Sequence, residues 1–445
     1  MENSSSNKLT LDALPDDCLE YIFNKVDDLK TQIQISRVCR GFQDICARMW
    51  CRNEAYHCFC IEQWQAFELS TEDFSYFVQN VRTAIREIRL ICFLLTDFLK
   101  NVREEMHIEC LPNVLVFETS NVLDLYASDS DILLLIKLLP NVQILKLTQA
   151  LTGRHLALCQ QLQELHLYHD DDKVYELKNQ YLPEIFENLT QLNLLDIRSY
   201  EMSFLDLSAI DKCRQLQILK LNLNALKPVL TKVLELPKLK TLTVMLDNVI
   251  DVSRIDNVDS YDYKIYETKE FYYILENKSD KITGIAVDSY YMPLKTHWDD
   301  NLKIFECNKL RKFAFSNHEY DDDMLEKYAD MKELRLLCCR HWSQLTNETL
   351  LKIVVSCTKL EHLDVSYCYK INEEFLHKAT NALRTQGKRK PLLTVYYAMT
   401  GIEDGIEKHP SYADWTTFMI LSTDLPLNSD KGLSYVQRGF EIDFE

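Results

Sequence analysis

The sequence predicts an α/β protein in which a short helical module precedes a long solenoid of strand-and-helix repeats. Two observations predict this fold class. Near the N-terminus, apolar residues recur at helical spacing over about 40 residues. From residue 85 onward, one short apolar pattern returns about a dozen times, mostly at intervals of 20 to 32 residues. Repeats of this length stack on one another, because no single repeat can bury its own apolar face.

Composition narrows the classes of function before any motif is considered. The chain has 445 residues, of which 47% are hydrophobic, and a net charge of −18. We expect no nucleic-acid partner, because phosphate backbones are bound by clustered Lys and Arg. We expect no membrane partner, because no apolar run approaches the ~20 residues that span a bilayer. The first ten residues also lack the apolar core of a signal peptide, so we expect a cytoplasmic or nuclear protein with reduced thiols.

The first predicted element is a module of three short helices. Pro15 suits the first turn of a helix, where its missing N–H removes no hydrogen bond. Leu19, Ile22 and Phe23 then fall at i, i+3 and i+4, which places them on one apolar face. A second apolar face begins at Phe42 and continues through the next two helical turns. The spacing therefore predicts a small helical unit, which is marginal without something to pack against.

The residues of this module resemble a known family. A Leu-Pro-Asp-Asp sequence opens it and a Val-Cys-Arg-Gly-Phe sequence follows, in an order and at a separation that resemble the F-box. F-boxes bind the Skp-type adaptor of Skp–cullin–F-box ubiquitin ligases. The resemblance covers residues 10–50 and implies that adaptor binding involves Leu14, Pro15, Leu19, Ile22, Phe23, Val38 and Phe42. Some of these must instead form the module's own core, and the sequence leaves that division open.

One residue departs from the family pattern. Gly41 stands where the family usually has a bulkier side chain. A glycine inside a helix costs about 1 kcal/mol relative to alanine, so we expect the last helix of the module to be weak or bent there.

A predicted amphipathic helix joins the module to the repeats. Ser70 begins a sequence that resembles a capping box. Phe74, Phe77, Val78 and Val81 then mark one apolar face. Because the ends of solenoids must be covered, we expect this face to cap the first repeat.

From residue 85, the repeated pattern is apolar-x-x-apolar-x-apolar, the signature of leucine-rich repeats. In such repeats the alternating apolar residues lie on a short strand and point into the core. The remainder of each repeat returns as a helix or turn. The copies begin at Ile85, Val114, Val142, Leu162, Leu192, Leu216, Leu239, Ile282, Leu310, Met331, Leu360 and Leu392.

Two late copies carry a cysteine at the ninth position. In the copies that begin at Met331 and Leu360, these are Cys339 and Cys368. Both resemble the cysteine-containing repeats of F-box/leucine-rich-repeat proteins. The resemblance implies that both thiols are structural.

The domain boundaries follow from these patterns. The interval from Leu239 to Ile282 is too long for one repeat, so residues 250–275 are either an inserted loop or a decayed repeat. The pattern is lost after Tyr397. The predicted organisation is a disordered N-terminus at 1–8, an F-box at 9–52, a helical linker and cap at 53–84, repeats at 85–399, and a C-terminal cap and tail at 400–445.

The common sequence motifs of catalysis and metal binding are absent from the sequence. The sequence contains no dinucleotide-binding, P-loop, zinc-protease or nucleophile-elbow motif. The densest group of potential ligands is Cys46, Cys51, His57, Cys58 and Cys60, which lacks the paired CxxC spacing of structural zinc sites. We therefore expect packed thiols, with no catalytic residue, cofactor or metal.

The candidate ligand surface lies on the repeat strands. Side chains that alternate with the core positions should point outward. This expectation selects Glu164, His166, Tyr168, Asp196, Arg198, Lys220, Asn222, Arg335, His362 and Asp364. Such a mixture of both charge signs suits a protein surface better than a small-molecule pocket, which would be more apolar.

The resemblance to the F-box implies a function. The module would hold the Skp-type adaptor and, through it, the cullin, while the repeats would hold an unidentified protein client for ubiquitination and proteasomal degradation. Catalysis would belong to other subunits. The alternative is a leucine-rich-repeat scaffold or binding protein without ligase function.

Overall fold

A computed structural model of the protein describes most of the chain in two compact units. The first unit comprises Met1–Leu216 and Thr231–Lys238, and the second comprises Gln217–Leu230 and Leu239–Glu445. The residues that the structure describes are 11–60, 68–91, 94–120, 127–148, 151–167, 177–198, 205–245, 279–288, 303–316, 326–387, 391–402, 405–423 and 439–443. Residues 250–275 and Tyr168 lie outside these ranges.

The predicted helical module is present in the first unit. Its helices are α1 (Asp16–Phe23), α2 (Leu29–Ser36) and α3 (Arg40–Arg52). Pro15 stands directly before α1, and the Asp28 carboxylate caps α2 by accepting the Thr31 N–H at 2.8 Å. Gly41 lies in the first turn of α3 rather than in its interior, and the helix continues unbroken for 13 residues. The expected weakness of this helix stays a prediction.

The described part of the segment between the module and the repeats includes a strand and an α-helix. Strand β1 (Cys58–Cys60) precedes α4 (Thr71–Val81), the predicted capped helix. The Ser70 hydroxyl caps α4 by accepting the Asp73 N–H at 3.1 Å. β1 pairs in parallel with the first predicted repeat strand, so the repeat sheet begins earlier than the sequence predicts.

Six parallel strands stack in chain order in the described part of the first unit. After β1 they are β2 (Glu87–Ile91), β3 (Val116–Ser120), β4 (Ile144–Leu147), β5 (Glu164–Leu167) and β6 (Leu194–Asp196). The helices between them are α5 (Leu95–Lys100), α6 (Asp129–Leu138) and α7 (Leu182–Asn188). A 3₁₀ turn replaces the helix in some repeats, as at Leu156–Leu158.

One row of side chains forms the centre of this core. The strand register aligns Ile88, Phe117, Leu145, Leu165 and Leu195 on β2 to β6. All five are the fourth residue of a predicted copy, and all are fully buried. Burying one such side chain stabilises the fold by about 1.5–3 kcal/mol relative to leaving it exposed. The positions of the repeated apolar residues therefore predict the positions of the strands.

Among its described residues, the second unit has eight parallel strands and one antiparallel strand. The parallel strands are β7 (Ile218–Asn222), β8 (Thr241–Met245), β9 (Ile282–Asp288), β10 (Lys312–Ser316), β11 (Leu336–Cys338), β12 (His362–Asp364), β13 (Leu393–Tyr396) and β14 (Met419–Ser422). The C-terminal strand β15 (Gly439–Asp443) lies antiparallel between β8 and β9. The described α-helices after β7 in the chain are α8 (Leu223–Leu226), α9 (Leu230–Leu234), α10 (Asn347–Ser356), α11 (Glu373–Gln386) and α12 (Tyr412–Trp415). Most of α9 belongs to the first unit. Strand β14 shows that the repeat sheet continues after Tyr397, where the sequence pattern is lost.

The predicted frame of the copy at Met331 is wrong by three residues. Strand β11 pairs Leu337 with Leu363, which is the fourth residue of the following copy. The earlier copy therefore begins at Leu334. The sequence is ambiguous here because two overlapping runs, three residues apart, both fit the apolar pattern. Cys339 consequently occupies the sixth position of its repeat rather than the ninth.

Candidate functional site

Three of the seven predicted adaptor-binding residues form the core of the helical module. Leu19 and Phe23 on α1 and Phe42 on α3 are buried. The rings of Phe23 and Phe42 meet edge to face with centroids 5.0 Å apart. Their side chains hold the helices together and are not available to a partner in this structure.

The other four predicted residues lie at or near the surface. Val38, between α2 and α3, is 70% exposed, and Ile22 on α1 is 39% exposed. Pro15 is exposed and Leu14 is half-buried. Large apolar side chains left in water are a feature of interaction sites when they lie together. The structure thus makes the division between core and surface that the sequence leaves open.

The sequence analysis missed Tyr21, a further exposed residue of the module with a large apolar ring. Tyr21 on α1 is 67% exposed, and the Lys25 ammonium lies 5.2 Å from its ring centre. The sequence feature that could have identified it is a large aromatic residue that does not fall on the apolar face of the amphipathic helix. We call Leu14, Pro15, Tyr21, Ile22 and Val38 the exposed F-box face.

The module is packed tightly on the first elements of the repeats. Trp50 of α3 and Phe77 of α4 are both fully buried, with ring centroids 5.1 Å apart. The indole N–H of Trp50 donates to Gln32 Oε1 at 2.7 Å, so its polar atom is satisfied inside the core. Tyr56 completes the aromatic cluster at 5.0 Å from Phe77.

A polar contact reinforces this junction at its rim. The Arg37 guanidinium lies 2.5 Å from Asp73 and 4.7 Å from the centre of the Tyr76 ring. The hydroxyls of Ser36 and Tyr76 are 3.1 Å apart. Both α2 and α3 contact α4, so the module packs against the helix that precedes the first predicted repeat.

Three of the predicted ligand-surface residues are buried. Asp196, Asn222 and Asp364 are at most 1% exposed, although they alternate with core positions on their strands. They are therefore not surface contacts in this structure. Alternation along a strand indicates which face a side chain occupies, but it does not show whether neighbouring side chains cover that face.

Asp196 accepts a two-pronged ion pair. Arg198 donates to its two carboxylate oxygens from Nε at 2.8 Å and from Nη2 at 2.7 Å. His166 on the neighbouring strand is close to two carboxylates, with Nδ1 3.8 Å from Asp196 and Nε2 3.4 Å from Glu164. These four predicted residues form one polar cluster on β5, on β6 and just after β6.

Replacing Arg198 with methionine should lower the free energy of unfolding by about 1–3 kcal/mol, because it removes two hydrogen bonds from a buried carboxylate. Urea denaturation of the two chains measures the difference. The matched control is Arg335→Met, whose ion pair with Glu361 at 3.3 Å is exposed and should contribute less than about 1 kcal/mol. Equal effects of the two changes would contradict a structural role for the Arg198–Asp196 pair.

Asp364 has a similar environment in the second unit. Its carboxylate accepts the Ser366 N–H at 3.0 Å and the Nε–H of Arg340 at 2.9 Å. Arg340 is nearly buried and was not selected from the sequence, because it follows β11 rather than lying on it.

The remaining predicted ligand-surface residues are at least partly accessible. Arg335 is exposed, while Glu164, His166, Lys220 and His362 are half-buried. The ring of His362 stacks on that of Tyr396 with centroids 6.3 Å apart.

The cysteine and histidine cluster near the junction has no metal-binding geometry. Among the described residues, no group of three or more His, Cys, Asp or Glu side chains is arranged to hold a metal ion. Burial raises the pKa of the Cys46 thiol to about 11, and His57 Nε2 lies 2.9 Å from the backbone oxygen of Cys51. Within the same described ranges, no helix combines the length and apolar character needed to cross a bilayer.

Thiol reactivity should separate the exposed cysteines from the buried ones. Burial raises the pKa of Cys159, Cys213 and Cys368 to about 12, so almost none of these thiols is ionised at pH 8. Cys18 and Cys39 are exposed. Brief iodoacetamide labelling of the native chain, followed by mass spectrometry, should modify these two at least tenfold faster. Comparable labelling of Cys213 in the folded chain would contradict the burial.

Comparison with known proteins identifies the helical module. A family model described as the F-box domain matches residues 11–53. "Putative F-box/LRR-repeat protein 23" from Arabidopsis thaliana is 36% identical to this chain over 75 residues. That match spans only 16% of this chain and 16% of the Arabidopsis protein.

Three solved structures are similar at low sequence identity. An internalin from Listeria monocytogenes is 12% identical with a TM-score of 0.29, and the alignment covers 81% of this chain and 90% of the internalin. The TLR13–ssRNA13 complex is 12% identical with a TM-score of 0.39, and the alignment covers 78% of this chain and 47% of the matched chain. The yeast complex of Rad7 and Elc1 is 11% identical with a TM-score of 0.34, and the alignment covers 91% of this chain and 92% of the matched chain. Scores of this size carry no argument about function.

Proposed function

We propose that this chain, which carries an F-box domain followed by leucine-rich repeats, is the substrate-recognition subunit of an SCF-type ubiquitin ligase. The F-box would bind a Skp-type adaptor and, through it, the cullin. The repeats would bind a client protein and so direct it to ubiquitination and proteasomal degradation. We infer that the chain has no catalytic activity of its own and acts in the cytoplasm, the nucleus or both.

The observation that carries this proposal is the exposed F-box face. It places apolar side chains in water on a domain whose family binds an adaptor. A partner that covered Val38, Ile22 and Tyr21 would gain about 25 cal/mol per Å² of apolar surface removed from water. The buried Leu19, Phe23 and Phe42 would support binding indirectly, by keeping α1 and α3 in position.

The junction supports the proposed mechanism. A substrate receptor accelerates ubiquitination by raising the effective concentration of client lysines near the ubiquitin donor. That gain is largest when the connection between the two binding surfaces is rigid. The buried Trp50–Phe77 contact provides such a connection between the F-box and the early repeats.

The experiment that tests the proposed function is a search for a client. Proteins that bind the repeats should have longer half-lives when the chain is removed from cells. Return of the wild-type chain should shorten those half-lives, whereas return of a Val38→Asp chain should not. Unchanged half-lives of every bound protein would instead indicate a scaffold without ligase function.

A further inference from the structure

The C-terminal strand occupies an unusual place in the second unit. β15 pairs antiparallel with β8 over five residues and with β9 on its other side. Each other strand pairing that the structure describes in this unit is parallel. The chain end therefore fills a position that a repeat strand would occupy in a regular solenoid. We call the space between β8 and β9 the strand slot.

The strand slot lies where the repeat period fails. The copies at Leu239 and Ile282 are separated by the longest interval in the pattern, and their strands β8 and β9 are not direct neighbours in the sheet. Each of the two strands directs a row of N–H and C=O groups into the slot. Only an extended segment can satisfy both rows, since strand edges left unpaired are unfavourable.

The present occupant has a period-two sequence that fits this position. Phe440 and Ile442 pair with Val244 and Leu242 of β8, two positions whose side chains are buried. Glu441 alternates with the two apolar residues and pairs with Thr243. The sequence that pairs in the slot thus alternates apolar and acidic residues, in register with alternating positions of β8.

The connection to this strand is long. β14 ends at Ser422 and β15 begins at Gly439, so residues 423–438 join two strands that are six positions apart in the sheet order. At about 4.8 Å per strand, these positions are about 29 Å apart. Sixteen residues can reach about 50 Å. The sequence between the two strands is therefore longer than this separation requires. The pairing of β15 with β9 also shifts register between Glu441 and Ile442.

We propose that the strand slot is an exchangeable peptide-binding site and that β15 is its internal occupant. The external ligand is an extended protein segment with alternating apolar and acidic residues, which displaces β15 and adds antiparallel to β8. Main-chain hydrogen bonds to both strands supply affinity, and the apolar positions supply specificity. The identification of this ligand as the client rests on the proposed function, whereas strand exchange itself does not require adaptor binding.

The test uses the full-length chain and a fluorescein-labelled peptide with the sequence of residues 437–445. In the wild-type chain, the tethered strand competes with the peptide. In a Phe440→Asp, Ile442→Asp chain, the internal strand no longer fits, so the slot becomes accessible. Fluorescence anisotropy should give at least tenfold tighter peptide binding to the double variant than to the wild type. A peptide that carries the same two aspartates should bind neither chain.

Three results would overturn the proposal. The first is a double variant that melts cooperatively and yet does not bind the peptide. The second is equal binding to both chains, which would place the peptide elsewhere. The third is loss of cooperative melting in the double variant, because β15 would then be a fixed part of the repeat core. Adaptor binding by the same chains reports separately on the F-box, so failure of strand exchange and failure of the ligase hypothesis are distinguishable.

Discussion

Replacing Val38 with aspartate should abolish binding to the Skp-type adaptor while the chain remains folded. Val38 is 70% exposed in the loop between α2 and α3, so a charge there costs the isolated protein little. In an apolar interface the same carboxylate would lose its water without gaining a partner. We expect at least a hundredfold rise in the dissociation constant, equivalent to about 2.7 kcal/mol, as measured by isothermal titration calorimetry.

The matched control for this change lies outside the F-box. Leu158 is 53% exposed in the repeats, and Leu158→Asp makes a similar change in charge and exposed apolar surface. This variant should bind the adaptor like the wild type, and both variants should keep the wild-type melting temperature. Retained binding by a folded Val38→Asp chain would show that the exposed F-box face is not the adaptor site. Ile22→Asp should act in the same direction as Val38→Asp.

Replacing Phe77 with alanine should produce the largest loss of stability. Its ring is fully buried between Trp50 and Tyr56, at the contact between the F-box and the first repeats. Truncation of a buried phenylalanine costs about 3–5 kcal/mol, because it removes apolar contacts and leaves a cavity. Urea denaturation should show an earlier first transition, and adaptor binding should weaken at urea concentrations that leave the wild type folded.

An exposed aromatic residue in the same module supplies the control. Tyr21→Ala also removes a ring, but Tyr21 is 67% exposed, so the free energy of unfolding should change by less than about 0.5 kcal/mol. The two substitutions should therefore distinguish the effect of removing a buried ring from the effect of removing an exposed one. Phe77→Ala with a wild-type unfolding curve would mean that the junction does not stabilise the F-box.

Local periodicity was sufficient for most of the fold. Helical spacing predicted α1, α3 and α4, and the strand pattern predicted most of the repeat strands, because both depend on residues close together in sequence. The fourth position of each copy was read correctly from β2 to β6 for the same reason. The elements that were missed are short or distant. β1 has three residues, too few for a pattern, and β15 pairs with strands about 150 to 200 residues away in the chain.

The candidate sites were less predictable because they depend on tertiary contacts. Leu19 and Ile22 lie on the same predicted apolar face, yet only Leu19 is covered by the rest of the module. Asp196 and Asp364 alternate with core residues as surface residues do, yet Arg198 and Arg340 cover them. The frame at Met331 could be decided only by the strand pairing of Leu337.

The most direct test of the central claim is co-purification of the full-length chain with a Skp-type adaptor and a cullin. The account predicts a stable complex of all three with the wild-type chain. It also predicts loss of that complex with a Leu14→Ala, Pro15→Ala double variant that melts like the wild type. A folded wild-type chain that elutes without the adaptor would contradict the claim and leave a repeat protein with a different partner.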